Sequence, residues 1–109
     1  ALPATTFSIS LEEQEPGFDL DEHIQRIKDE VAFFVPDFRV LREGEEPLDG
    51  APSRWFEYSE EFEGFQLVIR EQVALRNDLL VTVTLISPVE FFDFDLDNAL
   101  LSLASFSFS

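Results

Sequence analysis

The sequence predicts a single α+β domain over residues 1–109, an antiparallel sheet flanked by two helices. Three observations lead there. Residues 65–86, FQLVIREQVALRNDLLVTVTLI, hold two runs of period-two alternation separated by a short polar break, the mark of a hairpin. The two stretches with helical spacing lie toward the two ends of the chain instead of alternating with strands. The remaining connections are short and carry Pro, Gly, Asn and Asp, which suits hairpins better than the long crossovers of a parallel sheet.

Taken in order, residues 5–12 alternate Phe7, Ile9 and Leu11 against Thr6, Ser8 and Ser10 and predict a half-buried strand. Pro16-Gly17 breaks it. Asp19 and Glu22 have capping-box spacing, and Leu20, Ile24, Ile27, Val31 and Phe34 recur at helical intervals until Pro36 ends the helix. A short strand is expected at 38–42. A loop over 43–52 follows, with Gly44, Pro47, Gly50 and Pro52 and at most a brief extended piece near Leu48. Residues 55–59 predict another strand, and 60–64 turn into the central hairpin.

Within the hairpin, Phe65, Leu67, Ile69, Val73 and Leu75 share one parity, and Leu79, Val81, Val83 and Leu85 share one parity of the second run. A two-residue Asn77-Asp78 turn would set Leu75 against Leu80 and put the second apolar row on the face of Arg76. A three-residue loop, Arg76-Asn77-Asp78, pairs Leu75 with Leu79, Val73 with Val81 and Ile69 with Leu85, bringing both rows onto one face. The three-residue loop is therefore expected, with Glu71 opposite Val83 and in need of a partner or solvent. After Pro88 and the aromatic segment VEFFDFD, Asp95 is expected to cap a second helix. Leu96, Ala99, Leu100 and Leu103 would face inward, and Phe106 and Phe108 would cover the core.

A chain of 109 residues buries about 65% of its unfolded surface as one domain. With 45% hydrophobic residues and 13 Phe it can fill a core despite its charge. It has no Cys, so disulfides, thiolate nucleophiles and cysteine metal sites are excluded. The formal charge of -16 sets 23 acidic side chains against seven basic ones, so nucleic acid and anionic membranes are poor partners. No apolar run has the length of a membrane span, so no direct membrane insertion is expected.

Catalytic constellations are lacking in the sequence. His23 is the only histidine and falls at the edge of the first helix's apolar stripe, which reads as a helix-boundary residue and not as a base or ligand. Asp93, Asp95 and Asp97 copy the start of a calcium loop, but the next required glycine is Asn98 and the closing glutamate is Ala104. No enzyme activity, metal or cofactor is expected. What remains is the sheet's less apolar parity, assigned to Ser8 and Ser10 on the first strand with Val68, Arg70, Gln72 and Ala74 on the hairpin. Such a face is either covered by a helix of the chain itself or receives a partner segment, Gln72 offering hydrogen bonds beside apolar contact.

The succession FSIS (7–10), VPDF (35–38), LDGAP (48–52), FEY (56–58), REQV (70–73), TVTLISP (82–88) and the closing SF (105–106) resembles the DcrB-like family. That resemblance implies a PsbP-like fold, an antiparallel sheet flanked by helices. Within the family the chain is most similar to the Eag-type chaperones of type VI secretion. The likeness implies a cytoplasmic homodimer that shields apolar N-terminal helices of a secreted effector. The family's Arg-Gln strand motif reads here as Glu71-Gln72, so the cargo-facing glutamine falls on Gln72. Its first-strand cargo position falls on Ser8, where the family prefers an aliphatic residue, and its helix position falls on Ile27. Family members open with a strand segment of L-P-x-x-W type, whereas this chain starts Ala1-Leu2-Pro3 without that tryptophan, and the expectation is that this segment is lacking. The family's other branch, envelope lipoproteins, implies an accessory domain of the periplasm or cell envelope that docks other proteins.

Overall fold

The structure is a computed structural model that describes residues 3–108. Five strands form one antiparallel sheet: β1 (Thr6–Glu13), β2 (Arg42–Glu45), β3 (Ser53–Phe62), β4 (Phe65–Arg76) and β5 (Leu79–Pro88). Their spatial order is β1-β5-β4-β3-β2, so the first strand lies beside the last. Helix α1 (Leu20–Phe34) covers one face, and α2 (Phe92–Leu103), entered through a single 3-10 turn at Val89–Phe91, covers the other. The α+β class, the antiparallel sheet and the two flanking helices are as the sequence predicts.

Helix α1 starts where Asp19, in extended conformation, accepts the Glu22 N–H at 3.0 Å, and Asp21 and Glu22 complement the positive end of the helix dipole. It stops at Val35, held out of the helical region by the following Pro36. Ile24 is buried, and Leu20, Ile27 and Val31 pack beside it on Phe56, Tyr58, Ile69, Val73 and Leu80 of the sheet. Phe34 departs from the predicted stripe: it points to solvent, edge to face with the equally exposed Phe33.

The central hairpin turns on two residues, not three. Arg76 pairs with Leu79 and Leu75 with Leu80, Asn77 taking the left-handed conformation (φ 54°) that an Asn tolerates. The apolar rows of β4 and β5 therefore lie on opposite faces. Leu67, Ile69, Val73 and Leu75 meet α1, whereas Val81, Val83 and Leu85 meet α2. Glu71 faces Thr84 instead of Val83. The physical reason is that a sheet covered on both sides does not require its apolar rows to coincide.

Other boundaries shift modestly. The strand expected at 38–42 forms at Arg42–Glu45, while Phe38 and Val40 pack against the α1-side core as irregular chain. The strand at 55–59 extends to Ser53–Phe62 and closes on a two-residue Glu63-Gly64 turn. Asp49-Gly50, both at positive φ, turn the chain between the paired Leu48 and Ala51. Asp95 does not cap α2, which begins three residues earlier without a side-chain cap. Its carboxylate accepts instead from the hydroxyls of Thr5 and Ser87, each at 2.6 Å, pinning the start of β1 and the end of β5 to the helix. The Ser87 bond, then that of Thr5, holds this carboxyl below its ordinary range. Phe106 and Phe108 cover the core beside Leu48, Val81 and Leu103, as predicted.

Candidate functional site

The six residues assigned to one binding face are divided by the sheet. Ser8 and Ser10 pair with Thr84 and Thr82 and share the α1 face with Glu71. Val68, Arg70, Gln72 and Ala74 lie on the α2 face. All four are buried beneath that helix and its flanking chain. Val68 packs with Phe92 and Ala99, and Ala74 with Leu48 and Leu103. Alternation along β4 is as read, but the first strand enters the sheet with its serines on the other side.

The β3–β4 half of the α2 face has a polar interior that sequence reasoning missed. Glu57 is buried, and its carboxylate accepts from Arg42 twice, at 2.7 and 3.2 Å, and from Arg70 at 3.0 Å. The Arg70 guanidinium also lies 4.0 Å from the Trp55 ring centroid. Gly44 lets that indole lie against β2, since a Cβ there would stand 3.0 Å from the ring. Next along β4, Gln72 donates its amide to Ser53 at 2.9 Å, while its carbonyl oxygen is buried with no partner among the described residues. Gln72 borders a cavity of about 300 Å³ shared with Leu48, Leu100 and Phe106. Three charges paired this closely rigidify the sheet.

On the α1 face, Glu71 is largely buried and its one hydrogen bond comes from the Thr84 hydroxyl at 3.1 Å. Burial pushes its carboxyl up to about 7, the Thr84 bond offsetting only part. Tyr58, beside it, is pushed up to about 12 by burial and then by the Glu71 charge. The His23 ring lies 5.1 Å from that of Phe18, tilted 54° to it, and burial, then Arg26, lowers its pKa. Among the described residues, no group of three His, Cys, Asp or Glu is arranged to hold a metal ion, and Asp93, Asp95 and Asp97 form no such cluster.

Among the exposed apolar surfaces of the described residues, one runs along β1. Every residue of this strand is exposed, and Phe7, Ile9 and Leu11 present an apolar row, 37%, 43% and 61% exposed, on the α2 side. Phe7 borders a narrow apolar cleft lined by Leu96, Ala99 and Leu100 of α2. The row is legible as alternation, but the half-buried strand it predicts is exposed along its whole length.

Fold and surface together define a five-stranded antiparallel α+β domain with one bare, apolar edge strand. No protein-family model matches the sequence, and no curated protein matches it. Among solved structures, the chain is similar to PA94 of Pseudomonas aeruginosa, a protein of unknown function and candidate regulator. The TM-score is 0.80 at 14% identity, over 94% of this chain and 72% of that one. It is also similar to LpqN of Mycobacterium tuberculosis, involved in cell envelope biogenesis, with a TM-score of 0.70 at 13% identity over 87% of this chain and 57% of that one. At these identities the likeness is one of fold. Ala1 and Leu2, where the family's opening motif would begin, lie outside the described residues. No described helix is long and apolar enough to cross a membrane.

Proposed function

We propose that this chain is a non-enzymatic binding domain, a chaperone or adaptor that shields an apolar segment of a partner protein, in the manner of the Eag-type chaperones its motifs resemble. The observation that carries this reading is the exposed row Phe7, Ile9 and Leu11 beside the apolar cleft of α2. It moves the proposed contact from the roofed residues Val68, Arg70, Gln72 and Ala74 to the edge of the same face. Covering apolar surface there contributes about 25 cal/mol per Å². The charge of -16 on the rest of the molecule favours solubility of the loaded complex and disfavours nucleic acid. The reading requires no cofactor or metal and assigns the protein to the cytoplasm.

A second reading, an accessory domain of the cell envelope, draws support from the fold likeness to LpqN. The two are separated by a solubility assay with a synthetic apolar helix of effector type. Wild-type protein is expected to keep the peptide in solution at equimolar ratio, whereas the triple variant Phe7→Thr, Ile9→Thr, Leu11→Thr, with an unchanged circular dichroism spectrum, lets it precipitate. Equal protection by both proteins would remove the β1 row as the binding surface.

A further inference from the structure

We infer that β1 takes up an extended segment of a partner as an additional antiparallel strand, and that this segment is apolar on alternate residues and basic at its N-terminal end. The inference rests on the reading of β1 as the partner surface and concerns the strand's backbone edge, which takes an extended stretch of the partner beside the apolar segment seated on the Phe7, Ile9 and Leu11 side chains.

Backbone geometry shows which groups are available. The Gln14 N–H donates to the Asp78 carbonyl at 2.7 Å, and residues 14 and 78 continue the register in which Glu13 pairs with Leu79. Gln14 therefore belongs to a hydrogen-bonded pair, and antiparallel alternation gives Glu12, Ser10, Ser8 and Thr6 the same role toward β5. The N–H and C=O groups of Phe7, Ile9, Leu11 and Glu13 point the other way, to the outer side of the sheet. There the strand has no neighbour among the described residues. The residues with free backbone groups are thus also those carrying the exposed apolar row.

The two edges of this sheet are treated differently. The far edge, β2, has four residues and presents Arg42, Glu43 and Glu45, the short and charged form that discourages pairing. β1 runs eight residues in unbroken one-to-one register, with no bulge, proline or lysine, and is uncharged from Thr6 to Leu11. An edge of that kind is a template for strand addition.

Charge selects the occupant. A second copy would bring two molecules of net charge -16 together, whereas a basic segment is attracted. On β1 itself the charges are Glu12 and Glu13, with Glu15 just beyond, all at the strand's C-terminal end. An antiparallel partner places its N-terminal residues opposite them, so lysines or arginines belong there. Its apolar side chains then continue the row of Phe7, Ile9 and Leu11 along α2, and its polar ones follow Ser8 and Ser10.

The test uses a fluorescent peptide of β1's length, two lysines followed by alternating valine and threonine, titrated with the full chain at low salt. Binding is expected. Backbone N-methylation at positions facing β1 should weaken it roughly tenfold or more, since each methyl group removes a hydrogen bond, while methylation at the alternate positions leaves it unchanged. A one-residue slip cannot rescue the first peptide, because it turns every valine to the wrong face. Ile9→Pro, which deletes an outward N–H without touching a bond to β5, should weaken the parent peptide as well, and lysine-to-glutamate replacement should abolish binding. Equal affinity for the two methylated peptides overturns strand addition while leaving the apolar surface in place. Failure of the peptide to bind, with the apolar helix still protected, has the same meaning. A wild-type dimer in sedimentation that Ile9→Pro disperses would overturn the inference in favour of a second copy of this chain.

Discussion

Glu71 pairs across the sheet with Phe56 and Thr84 on the α1 face, a carboxyl with one hydrogen-bond donor. Its difficulty is visible in the sequence as a charge in an apolar row; its partner is not, because Thr84 faces it only in the two-residue register. The folded-state value of about 7 stands above the ordinary 4.5, so the folded chain holds this proton more tightly than the unfolded chain. Stability should therefore fall as pH rises from about 4.5 to about 7 and stay reduced above that. Glu71→Gln keeps an acceptor for Thr84 without the charge, and is expected to stabilise the protein at pH 8 by about 2 kcal/mol and far less at pH 5. Urea unfolding at the two pH values measures this, and an equal effect at both would show that the carboxyl carries no burial penalty. Glu57 illustrates the opposite limit of legibility. Between Phe56 and Tyr58 it reads as the wet side of a half-exposed strand, and only the approach of Arg42 and Arg70 from neighbouring strands makes its burial tolerable.

Among the elements, α1 was readable to its ends because cap, stripe and proline stop are local signals. The register of β4 against β5 was not. Matching apolar rows is sound for a sheet with one wet face, but here α2 covers the second face, so Leu75 and Leu80 serve one core while Val81, Val83 and Leu85 serve the other. The same closure explains why Val68, Arg70, Gln72 and Ala74 are unavailable: a polar-looking parity signalled a buried ion-pair network, not an open face. This sets two strands apart experimentally. Val68→Asp, beneath Phe92 and Ala99, should cost about 2 to 4 kcal/mol of stability. Ile9→Asp on the exposed edge should cost less than about 1 kcal/mol. Chemical denaturation of both variants checks the assignment, and a mild effect of Val68→Asp would mean that α2 does not seal that face.

At the level of the whole molecule, class and element order followed from alternation and turn chemistry, while the pairing of the first strand with the last carries no local signature. Net charge, by contrast, is a property of the sum. With 23 acidic and seven basic residues, self-repulsion opposes the compact state, and the exposed ion pairs such as Arg76 with Asp49 at 3.5 Å offset little of it. Raising sodium chloride from about 0.05 to about 1 M shortens the screening length to about 3 Å. The melting temperature is expected to rise by several degrees, on the order of 1 kcal/mol of stability. A fall over that range would show that surface ion pairs outweigh repulsion.

The union of Thr6–Glu13 with Leu79–Pro88 also sets an order of assembly. Strands β3, β4 and β5 are joined by tight reversals and close cheaply, but the leading ribbon must wait for residues 14–78 to be made and gathered before its mate exists. Within this domain, β1 is thus made before its mate and seated only once that mate has followed. Its greasy flank stays unmatched until residues 79–88 follow, which makes this strand a stretch in need of cover while the domain is being made.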